Sequence, residues 1–89
     1  MKLIVSAHFR KDFQKLPSQV KKKVEKQLRF LIKNPRHPSL RVKKMKGKYG
    51  KCQFWEVRVD RFWRMSFQRV KNGIRLCRLG PHDKILKRK

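Results

Sequence analysis

The sequence predicts an α+β fold: a small antiparallel β-sheet with an N-terminal α-helical hairpin packed on one face, in the order β-α-α-β-β-β-β. Three observations predict it. Apolar residues recur at helical spacing between residues 9 and 32, and at strand spacing between 54 and 79. Pro17 and the pair Asn34-Pro35 punctuate the helical part. The pair Asn72-Gly73 is a hairpin signal between the last two apolar runs.

Each element has a local reason. Lys2–Val5 reads as a short first strand. Ser6 is placed to cap a helix whose apolar positions Phe9, Phe13 and Leu16 follow i, i+4, i+7. Pro17-Ser18 breaks that helix and opens a second one. Val20, Val24, Leu28, Leu31 and Ile32 form the stripe expected to face the sheet, with Lys21, Lys22, Lys23, Lys26, Arg29 and Lys33 on the other faces. Asn34-Pro35 stops the second helix. Residues 35–51 are mostly loop, with Val42–Met45 read as a short strand. Gln53–Val59 is a strand with Trp55, Val57 and Val59 inward and Phe54, Glu56 and Arg58 outward. After a turn at Asp60-Arg61, Phe62–Arg69 sends Trp63, Met65 and Phe67 to the core and Arg64, Ser66 and Gln68 outward. Ile74–Leu79 is apolar on both sides, as a central strand is. Residues 82–89 form a basic tail.

Eighty-nine residues suit one domain, taken as 1–89, with one small core. There are 28 Lys and Arg against 5 Asp and Glu, a net charge of +23. Self-repulsion on that scale costs stability, and an acidic partner relieves it. RNA is one such partner and an acidic protein is another. No apolar run approaches membrane-spanning length, and no leader peptide is legible, so the expected location is the cytoplasm. Cys52 and Cys77 fit no metal spacing and read as reduced strand residues. No P-loop, dinucleotide fingerprint or carboxylate pair is present, and no cofactor or metal is expected.

The face opposite the helices is expected to stay open and to carry the chemistry. Arg58 and Arg64 lie on its neighbouring strands, and Arg78 joins them by parity. Guanidinium groups match phosphate oxygens in a bidentate way. Glu56 shares the face with Arg58, and His82, after the last strand, titrates near neutrality. RNA is cut without a metal when its 2′-hydroxyl attacks the adjacent phosphate. That step needs a base, an acid and fixed cations around the transition state. The same residues also read as a solvated cross-strand ion-pair ladder, and pattern alone leaves both readings open. Trp55 and Trp63 fall on the inward parity and read as core. His8 and His37 read as structural or solvent-exposed. Arg41, Lys43, Lys44, Lys46, Lys48 and Lys51 crowd around Tyr49, a density that favours a polyanion without reading its sequence.

Five segments in this order resemble the RelE/ParE toxin superfamily of toxin–antitoxin systems over essentially the whole chain. They are HFRKDFQKLP at 8–17, LRVKKMKG at 40–47, FWEVRV at 54–59, WRMSF at 63–67 and LGPHDKIL at 79–86. The resemblance implies the same fold and the toxin role in a type II system. RelE-like members are ribosome-dependent, metal-independent endoribonucleases that cut mRNA in the ribosomal A site. By that resemblance Arg64 matches the arginine of the fourth strand, and Arg58 the second basic position of the third. Glu56 stands where the first such position is often lysine. His82 falls near a late Arg or His position, and Ile85 or Leu86 stands where many members have tyrosine. The implied catalytic set is therefore Arg58 and Arg64 on the phosphate, His82 as general acid and Glu56 as base. Lys43, Lys44, Lys46, Lys48, Lys51, Arg78 and Lys84 are the implied RNA contacts. The implied partners are mRNA, the ribosome with its 16S RNA, and an acidic antitoxin. Two other activities fit the same scaffold: ParE-type inhibition of DNA gyrase, and plain RNA or ribosome binding without catalysis.

Overall fold

The structure is a computed structural model and describes residues 2–45 and 53–81. Its elements run β1 (Lys2–Val5), α1 (Ala7–Gln14), α2 (Ser18–Lys33), a 3-10 turn at Pro38–Leu40, β2 (Lys43–Lys44), β3 (Trp55–Arg58), β4 (Trp63–Val70) and β5 (Gly73–Pro81). This is the expected α+β order. The five strands form one sheet in the order β1-β5-β4-β3-β2.

The sheet is mixed rather than wholly antiparallel. β1 lies parallel to β5, with Lys2 opposite Gly73 and Val5 opposite Leu76. The helical pair between β1 and the rest of the chain supplies the crossover that a parallel neighbour needs. Gly73 has a reason beyond turn geometry. The hairpin loop is Lys71-Asn72, closed by Val70 opposite Gly73, and Asn72 takes the left-handed conformation at φ 65°. Gly73 already belongs to β5, where a Cβ would stand 1.9 Å from the Lys2 carbonyl oxygen.

Ser6 caps α1 as expected. Its Oγ accepts from the Phe9 N–H at 3.1 Å and donates to the Cys77 carbonyl at 2.9 Å, so the cap also ties the helix to β5. On α2 the buried positions are Val20, Val24, Gln27 and Leu31, while Ile32 is exposed. A glutamine thus occupies the apolar stripe at i+7. Its Nε2 donates to the carbonyls of Arg58 at 2.7 Å and Ser39 at 3.1 Å, which ties α2 to β3 and to the 3-10 turn. The main core joins Phe9, Val20, Val24, Leu31 and Leu40 to Val57, Met65, Phe67, Ile74, Leu76 and Leu79. Trp55 and Trp63 pack on it half-buried, as their parity predicts. Arg69 covers the Trp55 ring at 4.5 Å. His8 is exposed, and His37 stacks on Phe30 with centroids 4.1 Å apart.

Candidate nucleic-acid interface

The register of β3 and β4 builds the centre of the site. Arg58 stands directly opposite Arg64, and Glu56 directly opposite Ser66. Like charges facing each other across two strands are unfavourable unless an anion intervenes. Glu56 supplies one negative charge on the diagonal: its Oε1 is 3.2 Å from Arg64 Nε, and its Oε2 is 3.7 Å from Lys43 Nζ. Arg64 Nη1 donates to the carbonyls of Trp63, at 3.0 Å, and Asp60. These contacts aim a half-buried guanidinium along its strand instead of leaving it to sample rotamers. Its Nη2 takes no hydrogen bond among the described residues.

Two expectations about this face need correction. Glu56 is only 1% exposed, and Ser66, Phe54, Met45 and Cys77 are buried with it. Met45, Phe54 and Cys77 form a second small apolar cluster on that side. The face is therefore partly filled rather than open. A carboxylate so enclosed and paired with Arg64 and Lys43 is placed to orient Arg64, and it does not present itself to a 2′-hydroxyl as a base.

Arg78 shares this face with Arg64, standing opposite Ser66, but its guanidinium turns away to α1. Between Ser66 opposite Arg78 and Phe67 opposite Leu76, one residue of β5, Cys77, has no counterpart. Such a bulge shifts side-chain parity by one. In an unbroken strand Arg78, three residues after outward Arg75, would face the core. With the bulge it faces outward beside Ser66, and its guanidinium reaches α1, with Nε 3.2 Å from Asp12 Oδ2 and Nη2 3.4 Å from Oδ1. The bulge's amides find partners as well. Arg78 N–H donates to Ser66 Oγ at 3.1 Å, and Leu79 N–H donates to Asp12 Oδ2 at 3.0 Å. Buried Asp12 is thus a structural staple that periodicity did not single out. Before the bulge, Arg75 takes the outward parity opposite Gln68, and its Nη1 reaches Gln68 Oε1 at 3.3 Å. It is a second outward β5 arginine that sequence parity missed: an unbroken strand puts residues 75 and 78 on opposite faces, and only the bulge lets both face outward.

Asp60 shapes the β3–β4 turn. Its Oδ1 accepts from the N–H groups of Phe62 and Trp63, each at 2.9 Å, and its Oδ2 meets Lys23 Nζ at 3.2 Å. Partial burial pushes its carboxyl pKa up, but the two backbone N–H groups and the Lys23 charge outweigh this and hold it below the ordinary value. Lys43 and Lys44 are exposed on β2. Five of the sequence-selected residues, Lys46, Lys48, Lys51, His82 and Lys84, lie outside the described residues, as does Cys52. Among the described residues no helix is long and apolar enough to cross a membrane.

A mixed sheet with two helices on one face and opposed arginines on the other defines the class: a small basic α+β protein with arginines paired across its second sheet face. Solved structures give the family whose fold this is. YafQ from E. coli matches with a TM-score of 0.75 at 17% identity, over 94% of this chain and 96% of that one. The archaeal RelE in complex with RelB from Pyrococcus horikoshii matches with a TM-score of 0.70 at 18% identity, over 90% and 92%. A toxin from Helicobacter pylori, solved as a copper-bound L66S mutant, matches with a TM-score of 0.67 at 26% identity, over 96% and 98%. The chain has the fold of the RelE/ParE toxin superfamily, as its sequence motifs implied. No family model matches the chain, and no curated protein matches it.

Proposed function

We propose that this chain, acting as one domain, is the toxin of a type II toxin–antitoxin pair and a ribosome-dependent endoribonuclease that cuts mRNA in the A site. The observation that carries the reading is the Arg58–Arg64 pair, directly opposed on neighbouring strands and only partly neutralised by Glu56. A phosphodiester between the two guanidiniums relieves their repulsion, and its charge rises as the phosphorane-like transition state forms. The 2′-hydroxyl gives its proton to solvent water as its oxygen attacks phosphorus. The bond from phosphorus to the 5′-oxygen breaks, and that oxygen takes a proton. The products are a 2′,3′-cyclic phosphate and a 5′-hydroxyl. Arg58 and Arg64 hold and neutralise the phosphate, Glu56 and the turn carbonyls orient Arg64, and His82 gives the proton to the leaving oxygen. Lys43 and Lys44, with Lys46, Lys48, Lys51 and Lys84, dock the protein on ribosomal RNA.

The net charge of +23 and the structural likeness to toxins solved with their antitoxins support an acidic antitoxin as partner. The cytoplasm is where such a pair and ribosomes meet. Primer extension on a defined mRNA in a purified translation system tests the reading. Cuts inside A-site codons only when ribosomes are present are the expected result. Intact mRNA with unaffected translation overturns it. A supercoiling assay then separates gyrase inhibition from an inert RNA-binding protein.

A further inference from the structure

Phe62 is 70% exposed, the most exposed large apolar side chain among the described residues. It sits at the bend between β3 and β4, two residues before Arg64, so at most about 7 Å of backbone separates them. The bend is held on three sides. Asp60 Oδ1 takes the N–H groups of both Phe62 and Trp63. The Val59 and Asp60 N–H groups donate to the Trp63 carbonyl at 3.0 and 3.2 Å, and Arg64 donates to the Asp60 carbonyl. The same guanidinium that faces Arg58 therefore braces the backbone that carries the phenyl ring. A fixed bend keeps an aromatic face in water at little further ordering cost when a flat ligand stacks on it.

The surroundings say what that ligand is. Arg61 beside it is exposed, and Arg58 and Arg64 lie at the same end of the sheet. A cleft of about 530 Å³ bordering the bend is lined by Lys26, Arg41 and Arg58, and by Lys23 in its pair with Asp60. An apolar protein surface docking on Phe62 would have to desolvate four cations that the one carboxylate of Asp60 does not balance. A nucleotide offers a π-face for the ring and a phosphate for the cations together.

We propose that Phe62 is a base-stacking residue of this site, taking the nucleobase next to the phosphate that Arg58 and Arg64 hold. This rests on the RNA reading above and adds a binding residue to it. The test uses purified protein and a short single-stranded RNA, 2′-O-methylated throughout so that it cannot be cut, with one 2-aminopurine. Affinity is followed by anisotropy and stacking by quenching of the 2-aminopurine. Wild type and Phe62→Trp are expected to bind and quench. Phe62→Leu, which keeps apolar bulk but loses the aromatic face, should lose the quench and bind about 5- to 100-fold more weakly. An RNA abasic at that position should lose the same factor with wild type, and Phe62→Leu should then lose nothing more. Arg64→Lys should weaken binding while keeping the quench. Wild-type affinity and quench in Phe62→Leu overturn the stacking role alone, whether or not mRNA is cut. No RNA binding by wild type overturns the stacking role and the site's RNA reading together. Phe62→Leu should unfold at the wild-type urea concentration, since an exposed bend side chain contributes little to stability.

Discussion

Replacing Glu56 with glutamine tests whether this carboxylate is an enclosed orienting group or one rung of a solvated ladder. The side chain is 1% exposed and lies 3.2 Å from a half-buried guanidinium. At that distance two unit charges attract by about 5 kcal/mol at an effective dielectric near 20. Glutamine keeps the shape and one acceptor, and the guanidinium retains some contact with water, so part of this survives. The expected loss is about 2–3 kcal/mol, the range for a charged hydrogen bond removed from a buried partner. For a domain of this size that corresponds to a fall in Tm of roughly 10–20 °C. Urea denaturation followed by tryptophan fluorescence measures it. Glu56→Leu combined with Arg64→Met should be more stable than Glu56→Leu alone, because the second change removes the stranded cation. A loss below about 0.5 kcal/mol for Glu56→Gln, the size typical of an exposed pair, would refute the argument. It would return Glu56 to the solvated ladder and make its role as a base tenable again.

Other outcomes follow from single contacts. Asp12→Asn leaves Arg78 without its counter-charge and should cost about 3 kcal/mol, read from the urea midpoint, while Arg78→Met in the same background recovers part of the loss. Gly73→Ala pushes a Cβ into the Lys2 carbonyl; a loss of about 2–3 kcal/mol is expected, with faster hydrogen exchange in β1 as its signature. Asp60 has a folded-state pKa below its unfolded one, so its stabilisation is complete above the unfolded value of 3.8 and disappears as pH falls through the folded value. Asp60→Asn should therefore be less stable than wild type at neutral pH, with the gap closing on acidification below about pH 4; a gap independent of pH would show that the charge contributes nothing. For the chemistry, Arg64→Lys keeps a cation beside Glu56 but loses the planar fork, and a fall in cleavage of about 100-fold or more in a folded protein is expected from primer extension.

Much of the architecture was legible because its causes are local. Ser6 sits where a cap must, Pro17 and Asn34-Pro35 bracket α2, and alternation in β3 and β4 told Trp55, Val57, Met65 and Phe67 from Glu56, Arg58 and Arg64. The excess of 23 positive charges favours an acidic partner whatever the fold. Periodicity, however, fixes a side chain's face only within an unbroken strand. The bulge at Cys77 puts Arg75 and Arg78 on one face, which an unbroken strand does not allow, because one unpaired residue inverts every face beyond it; Asp12 then takes the Arg78 guanidinium. Gln27 entered the apolar stripe because two carbonyls from distant segments await its amide. The burial of Glu56, the parallel seat of β1 and the contact that requires glycine at 73 all depend on what neighbouring strands bring. The sequence by itself determined the elements, their order and the sign of the surface. Tertiary structure decided register and enclosure, and with them which arginines share a face, because those depend on contacts between residues that no local period relates.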